Sequence, residues 1–156
     1  MNIKAIIFDW ARTLYDVNNN TEFLEAEEIL KYCKKKDYYL ILVSLVAKIE
    51  SVPGTSLKTR EEQINNSSLG KYFDKVLVVE GDKDQALDEL IKELNFSRKE
   101  VMMVDDRMIR SIQYGNRNGH PTVWLQKGTF ADELPNLETG MPTFTIKTLS
   151  ELKDII

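Results

Sequence analysis

The feature that most restricts this chain is a series of short apolar, partly β-branched runs with helical patterns between them. The runs cover residues 3–8, 39–43, 75–79, 101–104 and 122–125. Stretches this short and this continuously apolar read as strands buried on both faces. Helical patterns fall between them near residues 21–35, 58–66, 84–94 and 108–118, each close to a polar or glycine boundary. Strict alternation of this kind predicts an α/β fold: a doubly wound, Rossmann-like parallel sheet covered by helices on both faces. The tail adds a short strand at 143–146 and a closing helix from about Leu149, with Thr148 as its cap. Residues 128–142 and 51–55, rich in Gly, Pro and polar side chains, read as loops.

At 156 residues the chain has the size of one ordinary domain. We expect a single domain over 1–156, with its core in about 1–126, a C-terminal loop, strand and helix in about 127–156, and no separate cap domain. The 21 Lys and Arg are interleaved with 25 Asp and Glu for a net charge of -4. That pattern argues against a nucleic-acid groove or an anionic membrane as partner. The one dense basic run, Lys31 to Lys36, sits where a helix should end, where cations favour the carbonyl end of the dipole. Cys33 is the only cysteine, which excludes an internal disulfide and a cysteine-built zinc site and predicts a reducing, cytoplasmic setting. Residues 1–8 lack the pattern of a secretory signal, and the greasy stretch 38–47 is far too short to span a bilayer. His120, the only histidine, lies in the turn-like Gly119-His120-Pro121, which disfavours serine or cysteine hydrolases with a histidine base.

Ligands of such sheets gather beyond the carboxyl ends of the strands, where strand order reverses. The residues there are Asp9, Ser44, the stretch 80–83 with Lys83, the pair Asp105-Asp106 and the loop after Leu125. Carboxylates can hold Mg²⁺, while a hydroxyl and an ammonium can neutralise phosphate oxygens.

Four segments in order resemble the motifs of the haloacid dehalogenase-like phosphatases. The string Ile6-Ile7-Phe8-Asp9-Trp10-Ala11-Arg12-Thr13-Leu14 resembles the opening Asp-x-Asp-x-Thr motif, and Ser44 after its apolar run is similar to the second. Lys83 matches the third, and Val104-Asp105-Asp106-Arg107 followed by Gly115-Asn116-Arg117-Asn118-Gly119 resembles the fourth. The resemblance covers about residues 3–125. It implies Asp9 as a nucleophile that takes the phosphoryl group and also ligates Mg²⁺. It further implies Ser44 and Lys83 as grips on phosphoryl oxygens, Asp106 as a second metal ligand with Asp105 as the fallback, and the main-chain carbonyl of Ala11 as a third. Thr13 would tie down the nucleophile loop.

Two departures stand out. The family's general acid and base falls on Ala11, which carries no proton, and a further acidic position falls near Arg110 or Ser111. Losing a general acid costs about 10²- to 10⁴-fold in rate. The string Phe8-Asp9-Trp10-Ala11 is also similar to phosphonoacetaldehyde hydrolase, but the roughly 30 residues between Thr13 and Ser44 leave no room for the helical cap carrying that enzyme's lysine. The resemblance therefore implies a Mg²⁺-dependent phosphohydrolase, impaired by Ala11, with an open site suited to a large or macromolecular phosphorylated substrate. The alternative is a non-catalytic, regulatory protein that keeps the metal and phosphate cradle.

Overall fold

The structure, a computed structural model, describes residues 1–46 and 56–156. The loop expected at 51–55, and Ala47 at the end of the greasy stretch, lie outside the described residues. In chain order the elements are β1 (Ala5–Phe8), β2 (Tyr15–Asp16), β3 (Thr21–Glu22), α1 (Leu24–Lys35), β4 (Tyr39–Val46), α2 (Leu57–Asn66), β5 (Lys75–Glu80) and α3 (Lys83–Glu93). β6 (Val101–Asp105), α4 (Gln113–Asn118), β7 (Thr122–Leu125) and β8 (Phe144–Ile146) follow.

Six strands form one parallel sheet in the order β5-β4-β1-β6-β7-β8, so the fold is the doubly wound α/β architecture expected. The chain moves outward from β1 through β4 to β5, then crosses back to β6 on the other side of β1. That reversal opens a crevice at the carboxyl ends of the central strands.

Alternation along the central strands builds two cores. Ile6, Phe8, Leu40, Leu42, Met102 and Val104 face α1 and the C-terminal segment, while Ala5, Ile7, Ile41, Val43, Val101 and Met103 face α3 and α4. Each fully buried Ile, Leu or Phe contributes roughly 1.5 to 3 kcal/mol of transfer free energy, and this fixes the register that sends Asp9 and Asp105 out of the sheet end. Gly119, at φ 77, ends α4 in the left-handed conformation. Gly115 admits β7 so closely that an added Cβ would stand 2.5 Å from the Thr122 side chain.

Several boundaries differ from the sequence reading. Residues 21–22 are not helical but pair with β2 in a two-stranded antiparallel ribbon, and α1 begins at Leu24. Glu22 accepts from Ser67 and Ser68, a long-range contact that outweighs local helix propensity. The strand expected at 39–43 continues to Val46 because it pairs with β5 over six residues. The helix expected over 108–118 is broken at Arg110 (φ -119, ψ -122), so that a wide turn precedes α4. The break turns the Ser111 N–H toward Asp105. The closing helix is a 3₁₀ segment, Leu149–Asp154, with Glu151 reaching back to the Thr148 N–H at 2.9 Å. No described helix is long and apolar enough to cross a membrane.

Candidate active site

Asp9 lies one residue beyond β1, Asp105 ends β6 and Asp106 follows it. Because Phe8 pairs with Val104, parallel register brings these carboxylates together. One oxygen from each lies within 4.8 Å of the others, and all three residues are buried. Lys83 opens α3 behind the Asp82 cap, which accepts from the Asp84 and Gln85 N–H groups. Its ammonium, 4 % exposed, donates to Asp9 Oδ1 at 2.8 Å and to Asp105 Oδ2 at 3.2 Å.

The three carboxylates differ in what holds them. Asp105 accepts from the Ser111 hydroxyl at 2.6 Å, from the Ser111 N–H at 3.1 Å and from the Arg107 N–H at 3.0 Å. Burial opposes its charge, but Lys83 and these donors hold its carboxyl below the usual range. Asp9 moves the other way: burial raises it, with Lys83 opposing and Asp105 adding to the rise. Asp106 is raised to about 8 by burial and by the charges of Asp9 and Asp105. It pairs with Arg12 Nε at 3.1 Å, while its Oδ1 is buried without a hydrogen-bond partner among the described residues. Lys83 stays charged because Asp105 and Asp9 outweigh its burial.

Ser111, one of the two residues near which the sequence departs from the resembled motif, thus serves Asp105 as a hydroxyl donor. Thr13 links two loops: its hydroxyl accepts from the Asp106 N–H at 3.2 Å, tying the segment after Asp9 to the segment after β6. Trp124 Nε1 donates to the Asp106 carbonyl at 3.0 Å and braces the same loop.

The cavity above the carboxylates has a volume of about 220 Å³. It is lined by Asp9, Asp105, Lys83 and Ala11 together with Arg12, Arg60, Arg107 and Arg110. Ser44 is fully buried and does not reach the cavity surface; its Oγ accepts from Arg60 Nη1 at 2.6 Å. Phe130 lies against the Arg12 and Arg107 guanidiniums, whose Cζ atoms are 4.7 and 3.6 Å from its ring centre. Glu133 holds Arg107 in place.

The structure therefore brings together Asp9, Ala11, Thr13, Lys83, Asp105 and Asp106, with Ser44 one layer behind. Sequence reasoning missed the arginines. Arg60 carried a usable signal, since Arg60 and Ile64 are spaced as neighbours on one helix face and both are buried. Arginine on the apolar face of a helix marks an inward-pointing charge.

Sheet order, crossover and carboxylate cluster define a haloacid dehalogenase-like hydrolase fold. The structure superposes on YfnB from Bacillus subtilis, solved bound to magnesium, with a TM-score of 0.80 at 12% identity over 99% of each chain. It also matches a haloacid dehalogenase-like family hydrolase from Xanthomonas campestris (TM-score 0.75, 11% identity, 99% of this chain and 90% of that one). A HAD-superfamily hydrolase from Ehrlichia chaffeensis gives a TM-score of 0.69 at 15% identity, over 99% and 97% of the two chains. Identities this low speak to fold alone. None of the curated proteins matches the chain. The chain belongs to the mitochondrial PGP phosphatase family, whose sequence model matches residues 1–130.

Proposed function

We propose that the protein is a Mg²⁺-dependent phosphohydrolase that carries the phosphoryl group of a phosphate ester on Asp9 as an aspartyl-phosphate. The observation that carries this reading is the cluster of Asp9, Asp105 and Asp106 around a buried, unpartnered Asp106 Oδ1, with Lys83 against Asp9. Hard carboxylate oxygens with one unsatisfied lone-pair site fit a small divalent cation. Asp9, Asp106 and the Ala11 carbonyl would hold it, with Asp105 as the fallback ligand. Bound there, Mg²⁺ would supply positive charge to the phosphoryl oxygens and keep the carboxylates ionised.

An Asp9 carboxylate oxygen attacks phosphorus and the bond from phosphorus to the ester oxygen breaks. Lys83 offsets the negative charge gathered between Asp9 and the phosphoryl group. Ser44 belongs to the same grip through its bond to Arg60. Ala11 offers the departing oxygen no proton, so that proton comes from water, and esters with poor leaving groups react slowest. Water then attacks the aspartyl-phosphate, orthophosphate leaves, and the Asp9 carboxylate is restored. The segment between Thr13 and β4 holds one two-stranded ribbon and one helix, which supports a site open to large phosphorylated substrates. A cradle that binds Mg²⁺ and phosphate without efficient turnover is the second reading, and Ala11 in the lining of the cavity, with no proton to give, is what favours it.

The test is orthophosphate release from 4-nitrophenyl phosphate and from PGP, with Mg²⁺ or with chelator, beside Asp9→Asn. Turnover should need Mg²⁺ and fall at least about 10³-fold in Asp9→Asn. Turnover that survives Asp9→Asn would remove Asp9 as the nucleophile.

A further inference from the structure

We infer that the Arg60 guanidinium, not the Ser44 hydroxyl, is the group on the α2 side of the cavity that touches the phosphoryl oxygens. Ser44 acts as the anchor that aims it. This rests on the reading that a phosphoryl group binds beside Asp9.

Three observations converge on Arg60. It lines the cavity together with Asp9 and Lys83, whereas Ser44 is fully buried behind it. Its guanidinium is clamped: Nη1 donates to Ser44 Oγ at 2.6 Å and Nε to Gln63 Oε1 at 3.2 Å. Both partners are neutral, and no described carboxylate lies within ion-pair distance, although the residue is only 8 % exposed. A buried guanidinium held by neutral acceptors has its positive charge left over for an anion in the cavity. Its five N–H groups form a fork, and two of them make the bonds just named, so donors remain for the oxygens of a phosphoryl group.

The charges act in the same sense. Asp9 supports the Arg60 cation and Arg60 supports the Asp9 anion, although burial works against each. Phosphoryl transfer spreads negative charge over the equatorial oxygens, and an arginine supplied within the same chain stabilises that charge directly. In a site whose general-acid position is Ala11, such a cation makes up part of the missing stabilisation.

The experiment measures kcat and KM for 4-nitrophenyl phosphate, and orthophosphate affinity by calorimetry. It compares wild type, Arg60→Ala, Arg60→Lys, Ser44→Ala and the Arg60→Ala/Ser44→Ala double variant. Arg60→Ala should lose about 10²- to 10³-fold in kcat/KM, mainly in kcat, and weaken orthophosphate binding. Added guanidinium ion should restore part of its activity, which a merely structural residue would not permit. Ser44→Ala should cost about 10-fold or less, and nothing further once Arg60 is gone, because Ser44 acts through Arg60. If Arg60→Ala fails to fold, Arg60→Lys carries the test: it should still bind orthophosphate but turn over more slowly, since ammonium cannot reproduce the fork.

Wild-type behaviour in Arg60→Ala or Arg60→Lys overturns the assignment while leaving the phosphohydrolase reading intact. Independent, additive losses from Ser44→Ala and Arg60→Ala overturn it too, because they would put Ser44 itself on the phosphoryl group. A wild type that neither turns over nor binds orthophosphate sinks both readings. A wild type that binds without turnover leaves the affinity loss in Arg60→Ala to decide.

Discussion

The carboxylates and the guanidiniums around the cavity carry opposite charge, and they are built in different ways. The carboxylates come from strand ends, where Phe8 is registered against Val104 and the backbone itself sets where Asp9, Asp105 and Asp106 emerge. The guanidiniums come from Arg12 in a left-handed turn (φ 65), from Arg60 within α2, and from Arg107 and Arg110 in the irregular stretch after β6. Sheet register fixes the first group as firmly as the core fixes the sheet. Helix position and loop packing fix the second.

The largest effect is expected where the two groups meet. Lys83→Met keeps the length of the side chain but removes the charge that holds Asp9 and Asp105 together. Breaking a buried ion pair on one side costs about 3 to 5 kcal/mol, because the partner charge remains buried and uncompensated. Urea unfolding of chelator-treated protein at alkaline pH should show that loss. A small loss would mean that the arginines, rather than Lys83, balance the carboxylates, and the distinction between the two groups would collapse.

How far the sequence led follows the same division. The parallel sheet was legible because each central strand is a continuous apolar run, and Asp9, Lys83 and Asp105-Asp106 were legible because they sit at the ends of those runs. Ser44 lies within β4, two residues before its end, and its partner was not legible: Arg60 lies 16 residues on, in α2, and no local pattern states which strand residue a helical side chain will reach. The ribbon of β2 and β3 was missed because Glu22 is held by Ser67 and Ser68, a contact absent from any short window. The break at Arg110 was missed for a related reason, since Asp105 draws the Ser111 N–H out of the regular helical pattern.

A smaller effect is expected at Ala11. Ala11→Asp places a carboxyl at the missing acid position, and it should raise turnover of alkyl phosphates by up to about 10²-fold, with much less gain on aryl phosphates. Only the poorer leaving group needs a proton in the transition state. Like charges close by raise one carboxyl's pKa, which keeps the new group protonated and able to donate. If the variant binds Mg²⁺ and orthophosphate normally yet gains on no substrate, the missing acid is not what limits the protein, and the non-catalytic reading becomes the better one.

The smallest effect is on stability against pH, and its sign separates the carboxylates from the arginines, since only the carboxylates titrate in the accessible range. Asp106 is raised to about 8 in the folded protein, first by burial and then by Asp9 and Asp105. In the unfolded chain an aspartate titrates near its ordinary value of about 3.9. Between those limits the folded state keeps a proton that the unfolded chain has released. The stability linked to Asp106 is therefore fully present below the unfolded value and is lost as pH rises through about 8. Asp9 shifts in the same direction and adds to the slope. Asp105 is shifted downward, and its contribution is lost only below the ordinary carboxylate range, outside this window. Chelator-treated protein should lose more than about 1 kcal/mol between mildly acidic and mildly alkaline pH. Asp106→Asn should flatten the slope, and Mg²⁺ should raise stability most at alkaline pH, where the carboxylates it favours are already ionised. A wild-type stability that climbs with pH without metal, or a slope that Asp106→Asn leaves intact, would show that the buried cluster is held ionised by its own cations and has no need of another.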